Sequence, residues 1–172
     1  MKYKYATKNY DKENMAKVVG KSLPISTKSS VEISNFIRNK RVGEAKEILQ
    51  KVIEKKQAVP FKRFNKDLSH KRKIGPGRYP KKTAVEIIKL LKALEANAQF
   101  KGINTSNLYI THISAHLASR PWRYGRQRRR KAKRTHIDII VEERKAKEKI
   151  DEGKKKDVKK IEEKKEKTKE SK

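Results

Sequence analysis

The apolar positions of the chain fall into two periods, one helical and one strand-like. Val31, Ile33, Phe36 and Ile37 are spaced for the buried face of a helix over residues 27–39. Val42, Ala45, Ile48, Leu49, Val52 and Ile53 continue as a second helical stripe that ends near Lys55. The three residues between the stripes, Asn39, Lys40 and Arg41, force a tight corner. Ser26 stands where it can cap the first helix, with Leu23 or Ile25 folding over its first turn. Ala84, Ile87, Ile88, Leu91, Leu94 and Ala98 predict a third helix over 81–101, with Pro80 suited to its first turn and Gly102 to its end. Such a helix spans about 30 Å.

Alternation takes over on the C-terminal side. Residues 107–117 place Tyr109, Ile113, Ala115 and Leu117 on one face. Leu108 and Ile110 interrupt the pattern, as in a strand buried on both sides where it starts. In 135–141, Ile137, Ile139 and Val141 alternate with His136, Asp138 and Glu142. The two runs read as antiparallel partners. Tyr3 and Tyr5 give a short candidate strand over 2–6, whereas residues 11–22 show little period. The expected fold is α+β: three helices on a small three-stranded antiparallel sheet, with a long protruding hairpin over 107–141. Ile33, Phe36, Leu49, Ile88, Leu91, Ile139 and Val141 are assigned to the core, each worth about 1.5–3 kcal/mol on burial.

The loop between the two strands, 119–134, changes the picture. It carries nine basic residues and no acid, together with Trp122 and Tyr124. It becomes ordered most readily against a polyanion, phosphate above all. Arg120, Arg123, Arg126, Arg128, Arg129, Arg130, Lys131, Lys133 and Arg134 are the candidate phosphate and sugar contacts, since arginine's planar fork pairs with phosphate and stacks on bases. Trp122 and Tyr124 are candidates to stack on unpaired bases. For Trp122 the competing reading is a core tryptophan.

A second basic zone lies in 57–80, which holds three of the five prolines and reads as a structureless insertion ordered by a ligand rather than by a core. Lys62, Arg63, Lys71, Arg72, Lys73 and Arg78 are its candidate RNA contacts. His70 is equally a partner of these residues or a solvated loop histidine. Asn97, near the end of the third helix, is placed either to contact RNA or to cap a strand backbone.

Composition points the same way. Forty-nine Lys and Arg face 20 Asp and Glu, a formal net charge of +29 in 172 residues. Few enzymes are this basic, and nucleic acid is the leading partner, ahead of an acidic membrane surface. Hydrophobic residues make up 34% of the chain, enough for one small domain with basic extensions. The expected division is a globular RNA-binding domain over 1–143 and a disordered Lys/Glu-rich tail over 144–172. With no cysteine, disulfides and Cys-based zinc sites are excluded. Neither a signal peptide nor a membrane span is expected, and the expected location is the cytoplasm.

No catalytic, cofactor or metal site is expected. His112 and His116 would suit a metal on a helix, but on a strand their spacing separates them by about 13 Å. No third ligand is near in sequence. Gly75-Pro76-Gly77 lacks the ending of a phosphate-binding loop and reads as a turn. The acids cluster on helix faces and in the tail, where they read as solvated ion pairs.

Several stretches resemble the large-subunit ribosomal protein twenty-two family, over roughly residues 5–143. They are Ala93-Leu94-Glu95-Ala96-Asn97-Ala98 followed by Gly102 and Leu108-Tyr109-Ile110, and Pro121, Gly125, Arg126, Thr135 and His136 at the family's hairpin spacing. Trp122, Arg123 and Gln127 depart from that pattern and make the tip bulkier. Ala58-Val59-Pro60-Phe61 and Gly77-Arg78-Tyr79-Pro80-Lys81-Lys82 resemble the archaeal and eukaryotic branch. The resemblance implies a structural protein of the large ribosomal subunit that binds large-subunit ribosomal RNA and touches neighbouring ribosomal proteins. It also implies a hairpin tip that lines the exit tunnel near the nascent peptide. A basic architectural DNA-binding protein is the alternative, although no spare apolar face is evident for the dimer such proteins commonly form.

Overall fold

The computed structural model describes residues 5–7 and 10–144. In chain order they form β1 (Met15–Leu23), α1 (Thr27–Ile37), α2 (Val42–Ile53), β2 (Val59–Pro60), β3 (His70–Lys71), β4 (Gly75–Arg78), α3 (Lys81–Phe100), β5 (Leu108–Leu117) and β6 (Thr135–Glu143). Two antiparallel three-stranded sheets result, ordered β1-β6-β5 and β2-β4-β3. The α+β class and the three helices are as the periodicity requires; the second sheet is additional.

The apolar stripes of the helices meet the large sheet in one core. Ile33, Leu49, Leu91, Ile139 and Val141 are fully buried in one cluster, and Phe36 and Ile88 pack against it partly exposed. Helix α3 crosses β1 and packs on α2, while α1 lies against β5. Gly102, at φ 74°, ends α3 in the left-handed region that glycine adopts without cost. The N–H of Ile103 then reaches back to the Ala98 carbonyl at 3.0 Å.

Helix α1 stops at Ile37, two residues earlier than its stripe suggests, because Asn39 turns to φ 62°. The Asn39 N–H donates to the Ile110 carbonyl and the Ile110 N–H to the Lys40 carbonyl, both at 2.9 Å, so the corner is pinned to β5. Ser26 occupies the N-cap position, but its side chain makes no capping bond. Its carbonyl instead accepts the Ser30 hydroxyl at 2.9 Å.

The first strand lies elsewhere than expected. Tyr5 and Ala6 are outside any strand, residues 2–4 are not among those described, and the partner of β6 is Met15–Leu23. Its buried positions are Ala16 and Gly20, both small, and α3 lies close over Gly20. A Cβ on Gly20 would come within 2.9 Å of a Leu90 methyl.

Strand β5 is also corrected. Its register against β6 shifts between Ile110 and His112, so one extra residue, Thr111, switches the inward parity. Leu108 and Ile110 before the bulge, and Ile113 after it, therefore enter the same core. Leu117, assigned to that face by alternation, is 64% exposed.

The segment 57–80 is not structureless. It forms the second sheet and buries Ala58, Val59 and Phe61. Glu32, buried on α1, accepts the backbone N–H groups of Lys62, Arg63 and Phe64 at 3.1, 2.9 and 2.7 Å. A core and a buried carboxylate thus order the start of this segment. The Lys/Glu-rich tail, expected to be disordered, lies outside the described residues from 145 onward.

Candidate nucleic-acid interface

The pairing of β5 with β6 runs from Leu108 opposite Glu143 to Leu117 opposite Thr135. Backbone bonds continue into the loop. Ala118 N–H donates to the Arg134 carbonyl at 3.1 Å, Ala132 to Pro121 at 2.8 Å and Arg123 to Arg130 at 2.9 Å. Trp122 and Lys131 form an isolated bridge. A short 3₁₀ turn over Gly125–Gln127 closes the loop, with Gly125 at φ 62°. The arginine-rich segment is therefore a paired ribbon rather than open chain.

Its side chains stay outside the core. Every residue from Ser119 to Lys131 is exposed, Lys133 is exposed and Arg134 is half-buried. Trp122 is 56% exposed and Tyr124 93%, which removes the core reading for Trp122. The Lys131 ammonium sits 4.3 Å from the Trp122 ring centroid, a cation–π contact within the ribbon. Arg134 donates to the Ser22 carbonyl at 3.0 Å and Arg123 to the Gln127 side chain at 3.3 Å. None of the nine basic side chains pairs with a described carboxylate. Positive charge without a counter-surface in the protein itself can gain partners only from outside.

The second basic zone is also exposed at Lys62, Arg63, Arg72, Lys73 and Arg78, and half-buried at Lys71. Arg63 stacks on Phe64 at 5.3 Å, with Lys28 of α1 over the same ring at 5.9 Å. His70 pairs with Pro76 in the small sheet and is exposed. Arg78 and Arg120 line one cleft together with Lys133 and Arg134, so the two basic zones share a boundary. Lys62, Arg63, Lys71, Arg72 and Lys73 are not part of that lining.

Asn97 is accounted for by the backbone. Its amide donates to the Lys17 carbonyl of β1 at 3.1 Å. His112 and His116 come together on the outer face of the large sheet, where sequence spacing alone could not place them. His112 and His116 approach the two carboxylate oxygens of fully buried Asp138 at 3.7 and 3.6 Å, and Ser114 bonds to the same carboxylate. The Ala6 N–H also donates to Asp138, at 3.3 Å, so this cluster fastens the N-terminal segment across the sheet. Among the described residues no group of three or more His, Asp or Glu has the arrangement to hold a metal ion. No described helix is long and apolar enough to cross a membrane.

A family model described as ribosomal protein L22p/L17e matches residues 18–142. Among curated proteins, the large ribosomal subunit protein uL22 of Archaeoglobus fulgidus is 40% identical over 148 residues, covering 81% of this chain and 96% of that protein. That of Methanopyrus kandleri is 41% identical over 151 residues, covering 83% and 95%. That of Nanoarchaeum equitans is 44% identical over 143 residues, covering 77% and 81%. The match spans both sheets, all three helices and the arginine-rich ribbon, and the chain belongs to the ribosomal protein L22p/L17e family.

Proposed function

We propose that this protein is a structural component of the large ribosomal subunit in the cytoplasm, and that it binds large-subunit ribosomal RNA without catalysis. The observation that carries this reading is the ribbon at 119–134, nine cations with no described carboxylate partner on a segment that adds nothing to the core. The names of the archaeal relatives supply the assembly, and the charge supplies the chemistry. Arg120, Arg123, Arg126, Arg128, Arg129, Arg130, Lys131, Lys133 and Arg134 contact phosphate and sugar, while exposed Tyr124 and Trp122 offer faces for unpaired bases. Lys62, Arg63, Lys71, Arg72, Lys73 and Arg78 form a second contact zone. Residues 1–143 act as the RNA-binding unit, and the hairpin carries its tip to the wall of the exit tunnel, beside the nascent peptide and neighbouring ribosomal proteins. The chain acts as a single copy and away from membranes.

The test is the identity of the nucleic acid that copurifies with the protein from cells. Large-subunit ribosomal RNA is the expected species. Duplex DNA bound to a stable dimer in sedimentation would instead support an architectural DNA-binding role, and absence of nucleic acid would remove the RNA assignment.

A further inference from the structure

The cations of the ribbon do not all face outward. Arg126, Arg128 and Arg129 surround the turn itself. Arg123, Arg130, Lys131, Lys133 and Arg134 face back toward the body across a cleft of ≈ 610 Å³, whose opposite wall is the start of α1 and the start of α3, including Lys81 and Lys82. On the other side of the first turn of α1 lies a second cleft of ≈ 430 Å³, lined by Lys28, Phe61, Arg78, Leu117 and Arg120 among others. The two clefts share Ser26, Ser29, Lys133 and Arg134, so they adjoin. No carboxylate lines either one, and the half-buried Ser26 and Ser29 add hydroxyl donors. Leu117, 64% exposed, offers an apolar surface beside the cations.

We propose that the adjoining clefts form one groove that takes a single RNA strand, its sugar–phosphate backbone held between the foot of the ribbon and the N-terminal ends of α1 and α3. This rests on the RNA-binding reading and adds a site, an occupant and two residues, Lys81 and Lys82, that neither composition nor periodicity singled out as contacts. The occupant follows from shape and lining. Each cleft has the volume of a small-ligand pocket, about 300–1,000 Å³, which admits a nucleotide or two. An RNA duplex is bound over broader surfaces, through its shape and its minor-groove hydroxyls. Cations and hydroxyls from opposite walls suit a backbone threaded between them, and an exposed apolar side chain suits an unstacked base or a sugar face. A strand held there also ties the ribbon to the body, because the two walls belong to different elements.

The test uses the full chain and two labelled RNAs, a mixed-sequence single strand of about 12 nucleotides and a blunt duplex of equal length. Fluorescence anisotropy measures affinity across salt concentrations for the wild type, for Lys81→Ala/Lys82→Ala and for Arg126→Ala/Arg128→Ala/Arg129→Ala. Both lysines are exposed, so their removal leaves the core intact. The slope of log K against log salt for the single strand should fall in magnitude by about 1.4 in the lysine variant, at about 0.7 per phosphate contact. The duplex slope should change less, and Lys81→Arg/Lys82→Arg should restore the original value. An unchanged single-strand slope in the lysine variant, with binding weakened in the arginine variant, overturns the groove and leaves the RNA-binding reading standing. Equal losses for strand and duplex overturn the choice of occupant. A wild type with no salt-dependent affinity for either RNA removes both proposals.

Discussion

Glu32 shows how one carboxylate organises a basic segment. Its two oxygens receive three successive backbone N–H groups, from Lys62, Arg63 and Phe64, while Phe61 beside them is 3% exposed. Buried donors that lose their acceptor cost free energy whatever their side chains do. Glu32→Ala should therefore destabilise the fold by about 1.5–3 kcal/mol, read as a shift in urea unfolding. A variant within about 0.5 kcal/mol of wild type, the range of ordinary surface substitutions, would show that the segment is held by other means. Nothing in the sequence marks Glu32 for this role, because an acid on a helix face reads as a solvated partner of nearby lysines. Its acceptance of Arg63 and Lys62 backbone groups is a tertiary fact. Asn97 was legible in half: its place at the end of α3 allowed either RNA or a strand carbonyl, and the 3.1 Å bond to Lys17 decides. Trp122 was legible in kind, since arginines crowd it in sequence and keep it at the surface in space.

Among the elements, the helices were readable because their apolar faces are wide and regular. Leu94 is fully buried on α3, and Leu94→Ala should cost about 2–5 kcal/mol by transfer and cavity together. The strands were harder, each for a stated physical reason. In β1 the inward positions Ala16 and Gly20 are small and only Val18, between them on that face, is β-branched, so the segment shows little of the apolar alternation that marks a strand. Gly20→Val should destabilise by about 1–3 kcal/mol through overpacking against Leu23 and Leu90, whose methyls already lie within 2.9 Å of an added Cβ. Gly20→Ala should cost less, since those neighbours are side-chain ends that can move. Thermal melting of the pair would check the order, and a neutral valine would mean that α3 sits further off the sheet. In β5 the bulge between Ile110 and His112 breaks alternation without any punctuating Gly or Pro. The small β2-β4-β3 sheet is built from strands of two to four residues around Gly75, Pro76 and Gly77, which read as a turn because no run there is long enough to alternate.

Over the whole molecule, charge and core are kept apart. The described core is almost wholly aliphatic, and the ribbon and the adjoining clefts carry cations with no described carboxylate partner. The ribbon's backbone bonds are solvent-exposed and have no buried apolar contacts behind them, so they open at little cost. In the free protein, amides of 119–134 should exchange with solvent orders of magnitude faster than those of Ile137–Val141. Protection across 119–134 equal to that of the sheet would show that the ribbon is stabilised by the protein alone. Fold class, basic loop and family resemblance were all legible because they depend on local pattern and composition. The groove was not, since it exists only once residues 24–29, 80–83 and 130–134 are brought together in space.

The arginines of the ribbon are proposed to serve RNA and not the fold. The most direct measurement replaces Arg126, Arg128, Arg129 and Arg130 with Ala and follows two quantities in the same preparation, thermal unfolding of the free protein and incorporation into large ribosomal subunits. All four side chains are exposed and pair with no described carboxylate. Unchanged melting with weakened incorporation is the expected result. Early unfolding with normal incorporation would assign these arginines to the fold and contradict the placement of RNA on the ribbon.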